Sequence, residues 1–354
     1  MSQLGFWDWE KRHQYLEEKQ DILVQLNKWI PWEEFREILN QTQVKEKKSK
    51  AGRKGIDPIL MFKLLILQRL YGISDEALEY QVNDRLSFMK FVGLGVEDKV
   101  PDATTVWLFR QKLVEQSLAE ELFEKFESYL QKQGYQAAEG QIIDATLIPV
   151  PKQRNSREEN EVVKSGKVPK DWEKKPHKKR QKDCEARWTK KNQQNHFGYK
   201  NHINVDVKYK FIRKYAVTAA AVHDSQMFGA VLDGSNTGDG IWADSAYRSQ
   251  IRERVLGLMG LESQIQEKGS RNHPLSEEQK TKNKERSQTR ARVEHVFGTF
   301  VTSMGGKLER VIGHARVETQ IALKNLAYNL RRSKYRTKVV WGESLIQVEI
   351  GEQR

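Results

Sequence analysis

Apolar residues recur at three- and four-residue intervals through Leu60, Leu64, Leu67 and Leu70, which predicts a helix with a buried face. Pro58 suits its first turn and Gly72 its end. Ser74 or Asp75 can cap the next helix, DEALEYQVNDRL, and Asp102 or Thr104 a third, TTVWLFRQKLVEQ, after the turn GLGVEDKVPD. Short helices with a Gly-containing turn resemble a helix-turn-helix bundle, so residues 51–135 are expected to form an all-α DNA-binding domain. Residues 1–50 read as a helical segment punctuated by Trp7, Trp9, Trp29 and Trp32, and Lys45–Gly55 as a basic linker.

From Gln141 the period changes to two. QIIDATLIP predicts a strand with Ile142, Asp144, Thr146 and Ile148 on one side. HINVDVKYKFIRKYAVTAAAV predicts a hairpin turning near Lys208–Lys210, and DSQMFGAVLDG a short helix ending at Gly234. GIWAD then reads as a fourth strand, SQIRERVLGLMG as a helix and LESQIQEK as a fifth strand. Two helices follow, one carrying Glu294 and one spelled TQIALKNLAYNLRRSK; the tail, KVVWGESLIQVEI, has a weak strand pattern. This order predicts an α/β domain over 136–335, a mixed sheet flanked by helices, with a tail at 336–354.

Charge sharpens the picture. The chain carries 61 Lys and Arg against 48 Asp and Glu, a net charge of +13. Residues 151–200 hold 16 basic against 7 acidic side chains, and residues 268–292 hold 8 against 3, so these two segments account for the whole excess. Charge gathered in this way suits a polyanion, usually nucleic acid. Residues 151–195 are expected to be an extended basic insertion tracking the DNA backbone through Lys174, Lys175, Lys178, Lys179, Arg180, Lys190 and Lys191. The one cysteine, Cys184, excludes a disulfide framework or a cysteine zinc site within one chain. The longest apolar run, Ile59–Leu67, is short for a bilayer and broken by Lys63, and MSQLGFWDWEKRHQ has no signal-peptide core. The expectation is a cytoplasmic, nucleoid-associated protein with no membrane partner and no small-molecule cofactor.

Three acids stand in contexts unlike those of surface carboxylates. Asp144 lies among β-formers, Asp244 closes an apolar run, and Glu294 sits on the helical stretch TRARVEHVFGTF. Burying a carboxylate is costly unless a cation or donor compensates it, and such a trio is what divalent metal ions need for phosphoryl transfer. Tyr247 and Arg248 follow Asp244 closely enough to touch a phosphate, and Arg290 lies one turn before Glu294. Val293, Val296, Phe297 and Phe300 form that helix's apolar stripe, and Gly298 leaves room for close approach. His223–Asp224–Ser225 is not a hydrolase triad, since neighbours on a strand face opposite ways. His295 is expected to face away from Glu294, and Trp242 to be core.

The stretches GRKGIDPILMFKLLILQRLYGISDEALEYQVNDRLSF, DATLIPVPKQRNSREEN, HFGYKNHINVDVK, VTAAAVHDSQ, WADSAYRS and RVEHVFG resemble the DDE transposases of bacterial insertion sequences, in the insertion-sequence-five group. The resemblance spans roughly residues 50–330. It implies an RNase H-like catalytic domain in which Asp144, Asp244 and Glu294 hold two Mg²⁺ ions, with Mn²⁺ able to substitute. It also implies double-stranded DNA as partner, both transposon ends and target, and a homodimer or larger assembly. The implied activity is binding of terminal inverted repeats, cleavage of the ends and their joining to target DNA. The chain departs from the family's Tyr, Arg, Glu, Lys signature at Ser287 and Val301, so no role passes to those two positions. Two other readings are a catalytically silent domesticated transposase acting as a sequence-specific DNA-binding regulator, and an unrelated RNase H-like nuclease. The first is disfavoured by the presence of all three acids, the second by the helical front domain and the basic insertion.

Overall fold

The computed structural model describes residues 8–43, 55–270 and 273–351. The side chains of Trp7 and Trp9 and nearly all of the expected linker Lys45–Gly55 lie outside the described residues. Two compact units emerge, residues 1–125 with 326–354, and residues 126–325.

The first unit is helical. Asp57 caps the helix Pro58–Tyr71 by accepting from the Ile59 N–H, and Gly72 ends it at φ 63°. Ser74 caps Asp75–Asp84 and Asp102 caps Ala103–Glu115, each accepting from a backbone N–H of the first turn. A further helix, Leu86–Val92, lies between them. The helices before residue 44 pack into this unit: Asn27 Nδ2 donates to the carbonyls of Lys90 and Phe91, Leu23 and Leu26 are buried, and the Phe35 and Trp32 rings pack on Phe62 and Phe91 respectively. One buried polar network ties three helices together. Arg110 donates to both Asp75 and Gln68, while Gln68 donates to Asp75.

The second unit is built on a mixed six-stranded sheet: β1 (Gln141–Pro149), β2 (Arg187–Lys191), β3 (Gln194–Asp206), β4 (Ile212–Ala219), β5 (Gly240–Trp242) and β6 (Glu262–Ser263). The antiparallel β1, β3 and β4 form its wide part, and β5 and β6 add in parallel on the far side of β1. Each face buries its own apolar cluster. Ile143, Phe228, Val231, Ile241, Ala243, Tyr247 and Leu256 fill one. Ile148, Val150, Phe197, Tyr199, Val317 and Ile321 fill the other. Helix–sheet–helix layering follows from that two-sided burial.

Three expectations are corrected. The basic insertion is not extended: it folds into helices Arg157–Lys164, Lys170–Glu173 and Pro176–Arg180 and then into β2. Trp172, fully buried, organises them by donating its ring N–H to Glu159 at 2.7 Å. The fourth and fifth strands of the expected sheet, β5 and β6, are only three and two residues long, so Asp244 stands past the end of its strand. Finally, the tail continues the last helix, which runs His314–Gly351, and forms no strand.

Candidate active site

The three acids come from three elements. Asp144 is mid-strand in β1. β1 and β5 pair in parallel as Gln141 with Ile241 and Ile142 with Trp242, a register that, continued past β5, sets Asp144 level with Asp244. Asp244 itself caps the single turn Ser245–Tyr247 by accepting from the Ala246 N–H. Glu294 lies on the helix Glu277–Thr302, opened by a capping box of Ser276 and Gln279. The stripe Val293, Val296, Phe297 and Phe300 is buried as the sequence predicts, leaving the Glu294 side chain 61% exposed.

Arg290 joins strand to helix. Its Nη1 lies 2.8 Å from Asp144 Oδ2 and 3.8 Å from Glu294 Oε1. Asp144 is 9% exposed and also accepts from the Ala145 N–H at 2.7 Å. Burial drives its pKa up to about 6, against the pull of Arg290, and the charges of Asp244 and Glu294 add to the rise. Asp144 therefore feels both of the other acids.

A cluster of carboxylate oxygens short of positive charge is the donor set of a hard divalent cation. Among the described residues, no three His, Cys, Asp or Glu side chains are drawn together tightly enough to form a ready cage. The reason is local: Asp144 Oδ2 is held by Arg290, and the Glu294 side chain points largely to solvent. The chemistry of the donors fits the ion.

One residue of the site has no counterpart in the sequence reading. Lys307 Nζ donates to Thr146 Oγ1 at 2.6 Å, on the strand face that carries Asp144. The signal available was the pair Gly305–Gly306 just beyond the helix, both at positive φ, which turns the chain back toward β1.

Other expected residues fall into two groups. Lys174, Lys175, Lys179, Arg180, Lys190 and Lys191 are exposed, the last two on β2, whose turn is made by Asn192 and Gln193 at positive φ. Lys178 instead pairs with Glu159 at 2.7 Å and lies over the Trp172 ring, so its charge serves the insertion's own fold. Tyr247 is 1% exposed and packs near Phe228; buried there, it is not open to a phosphate, and burial next to carboxylates pushes its hydroxyl pKa up. Arg248 is engaged by Glu253 and Glu267. His223 is no strand residue: it caps a short turn, its Nδ1 2.8 Å from Ser225 Oγ. His295 is exposed. The Trp242 ring lies so close over Gly140 and Gly240 that a Cβ at either would meet it within 2.6 Å, which accounts for both glycines. Ser287 accepts from Gln266 and donates to the Asn283 carbonyl, and Val301 is exposed.

Comparison with known proteins adds two family matches and a structural one. Residues 10–112 match the model of a transposase domain of the DUF772 type. Residues 135–330 match the model of the transposase DDE domain. A cryo-EM structure of the piggyBac transposase synaptic complex with hairpin DNA is similar with a TM-score of 0.46 at 11% identity, over 89% of this chain and 75% of that one. Among the described residues, no helix is long and apolar enough to cross a membrane.

Proposed function

Because this chain belongs to the transposase DDE domain family, we propose that Asp144, Asp244 and Glu294 are the catalytic acids of a DNA transposase acting on the ends of its own insertion sequence. DNA transposition is the family's activity, and divalent metal is its general requirement. The observation that supports the assignment is the Asp144 site: a buried carboxylate whose register with β5 sets it level with Asp244, bridged by Arg290 to Glu294, with its pKa raised chiefly by burial and further by the charges of the other two acids.

Asp144, Asp244 and Glu294 would hold two Mg²⁺ ions. When bound, these supply an activated oxygen nucleophile and neutralise charge on the leaving oxygen. The chain's own residues do the rest. Arg290 holds Asp144 in place and, once released from it, is positioned to meet a phosphate oxygen. The scissile phosphodiester gains a water oxygen at phosphorus and loses its 3′-oxygen, which departs as a 3′-hydroxyl at the element's end. That hydroxyl then attacks a target phosphodiester, forming one P–O bond as another breaks. No covalent protein intermediate is needed, since positioning and electrostatics carry phosphoryl transfer.

The exposed cations Lys174, Lys175, Lys179, Arg180, Lys190 and Lys191 grip the DNA backbone. The helical unit contributes to end recognition. Two ends must be paired, so the working assembly is a dimer or larger. A marked DNA segment flanked by the gene's own borders, supplied with this protein in bacterial cells, tests the reading. Insertions bounded by short target duplications support it; none above the background of an empty vector contradicts it. Mass measurement of the complex on end DNA tests the assembly, and a single copy on paired ends contradicts it.

A further inference from the structure

Lys307 carries none of the roles given above, yet its placement is heavily built. After the helix Glu277–Thr302 the chain reverses through Gly305 and Gly306, at φ 74° and 87°, and the Gly306 N–H closes on the Phe300 carbonyl. Buried Lys324 donates to the Gly306 carbonyl and sits 3.7 Å from buried Glu309, whose own N–H donates to Pro149 at the end of β1. The turn is thus pinned on both sides, and Lys307 is delivered to the sheet face.

There its half-buried side chain reaches Thr146 Oγ1 and passes over the Phe297 ring at 5.2 Å. Glu294 and Asp144 lie near enough to act on its charge, and so does Lys191 from the tip of the β2–β3 hairpin. Among the described residues, no carboxylate forms an ion pair with it. Withdrawing an ammonium from water without an acid partner is costly, and burial accordingly lowers its pKa. A cation presented in this way, with a hydroxyl beside it and a second lysine near, is the arrangement of an anion site. A compact ammonium suits a single phosphate oxygen.

We propose that Lys307, with the Thr146 hydroxyl, forms a phosphate subsite that holds the scissile phosphodiester of the DNA end against the acids. The inference rests on the reading of Asp144, Asp244 and Glu294 as catalytic.

The test measures binding, in EDTA, of duplexes made from the gene's border. One has a normal phosphodiester at the cleaved position and the other a neutral methylphosphonate there. For Lys307→Gln, we expect about tenfold weaker binding of the normal duplex, the scale of one charge-assisted contact, and less than twofold on the neutral one. Lys307→Arg should recover most of the loss. Equal weakening on both duplexes, or on neither, overturns the subsite. Asp144→Asn, assayed beside it for cleavage, separates the two claims. If that variant cuts normally, the acid assignment fails. If it is dead while the Lys307 coupling is absent, only the subsite fails.

Discussion

Arg290 Nη1 lies 2.8 Å from Asp144 Oδ2, and the same nitrogen is 3.8 Å from Glu294 Oε1. A single guanidinium therefore stands between a strand acid and a helix acid. Arg290→Gln should raise the Asp144 pKa further, because the charge that lowers it is gone while burial remains. DNA cleavage should fall by about 10², the usual scale for losing one electrostatic contact in an active site. Carbon-labelled NMR titration of Asp144 and single-turnover cleavage check the two parts.

The Asp144 pKa of about 6 also predicts a pH dependence. An acid whose folded pKa is raised binds its proton more tightly when folded. Its stabilising contribution is full below about 4, the ordinary aspartate range, and is lost as pH rises through 6. In chelator, the wild-type minus Asp144→Asn stability difference should therefore move against wild type between pH 4 and 6 and level off above. Divalent metal must displace that proton, so half-maximal cleavage should need more Mg²⁺ at pH 6 than at pH 8. A requirement independent of pH would contradict the assignment of Asp144 as ligand.

The basic insertion divides into two kinds of lysine. Replacing Lys174, Lys179, Arg180, Lys190 and Lys191 with Ala should reduce the salt slope of DNA binding by up to about 4.5, at about 0.9 per phosphate contact. Thermal stability should scarcely change, since these side chains are exposed. Lys178→Ala should do the reverse, because Lys178 serves Glu159 and Trp172. Fluorescence anisotropy over a salt series, with melting curves, distinguishes them.

Arg213 is a buried cation of the second unit. Its side chain is 1% exposed and donates to Asp206, Glu127 and the Tyr135 carbonyl. Asp206 in turn accepts the backbone N–H groups of Tyr209 and Phe211, fixing the β3–β4 turn. Arg213→Ala would strand two carboxylates whose pKa values burial already pushes up. The expected cost is about 3–5 kcal/mol, read as a fall of roughly 10 °C in Tm. A change under about 1 kcal/mol, the scale of a surface pair, would contradict this role.

The sequence was most informative where local chemistry decides structure. Pro58, Gly72, Ser74 and Asp102 mark helix ends through their own backbone and capping preferences, and the period-two run at Asp144 marks a strand. It was least informative where distant residues decide. Trp172 is buried within the folded, lysine-rich insertion and donates to Glu159, thirteen residues away, at 2.7 Å. Tyr247 reads as a surface residue beside Asp244, yet packing near Phe228 buries it. Lys307 meets Thr146 across 161 residues of chain, beyond any local pattern.

We propose that Asp144, Asp244 and Glu294 are the side chains with which this protein cuts DNA. The most direct measurement is Mg²⁺-dependent cleavage of a labelled duplex carrying the gene's flanking sequence, with wild type beside Glu294→Gln, which keeps the side chain's shape and removes its charge. Wild type alone should cut at the repeat boundary, while both proteins bind the duplex. Binding without cleavage by either, in Mg²⁺ and in Mn²⁺, or equal cleavage by both, would contradict it.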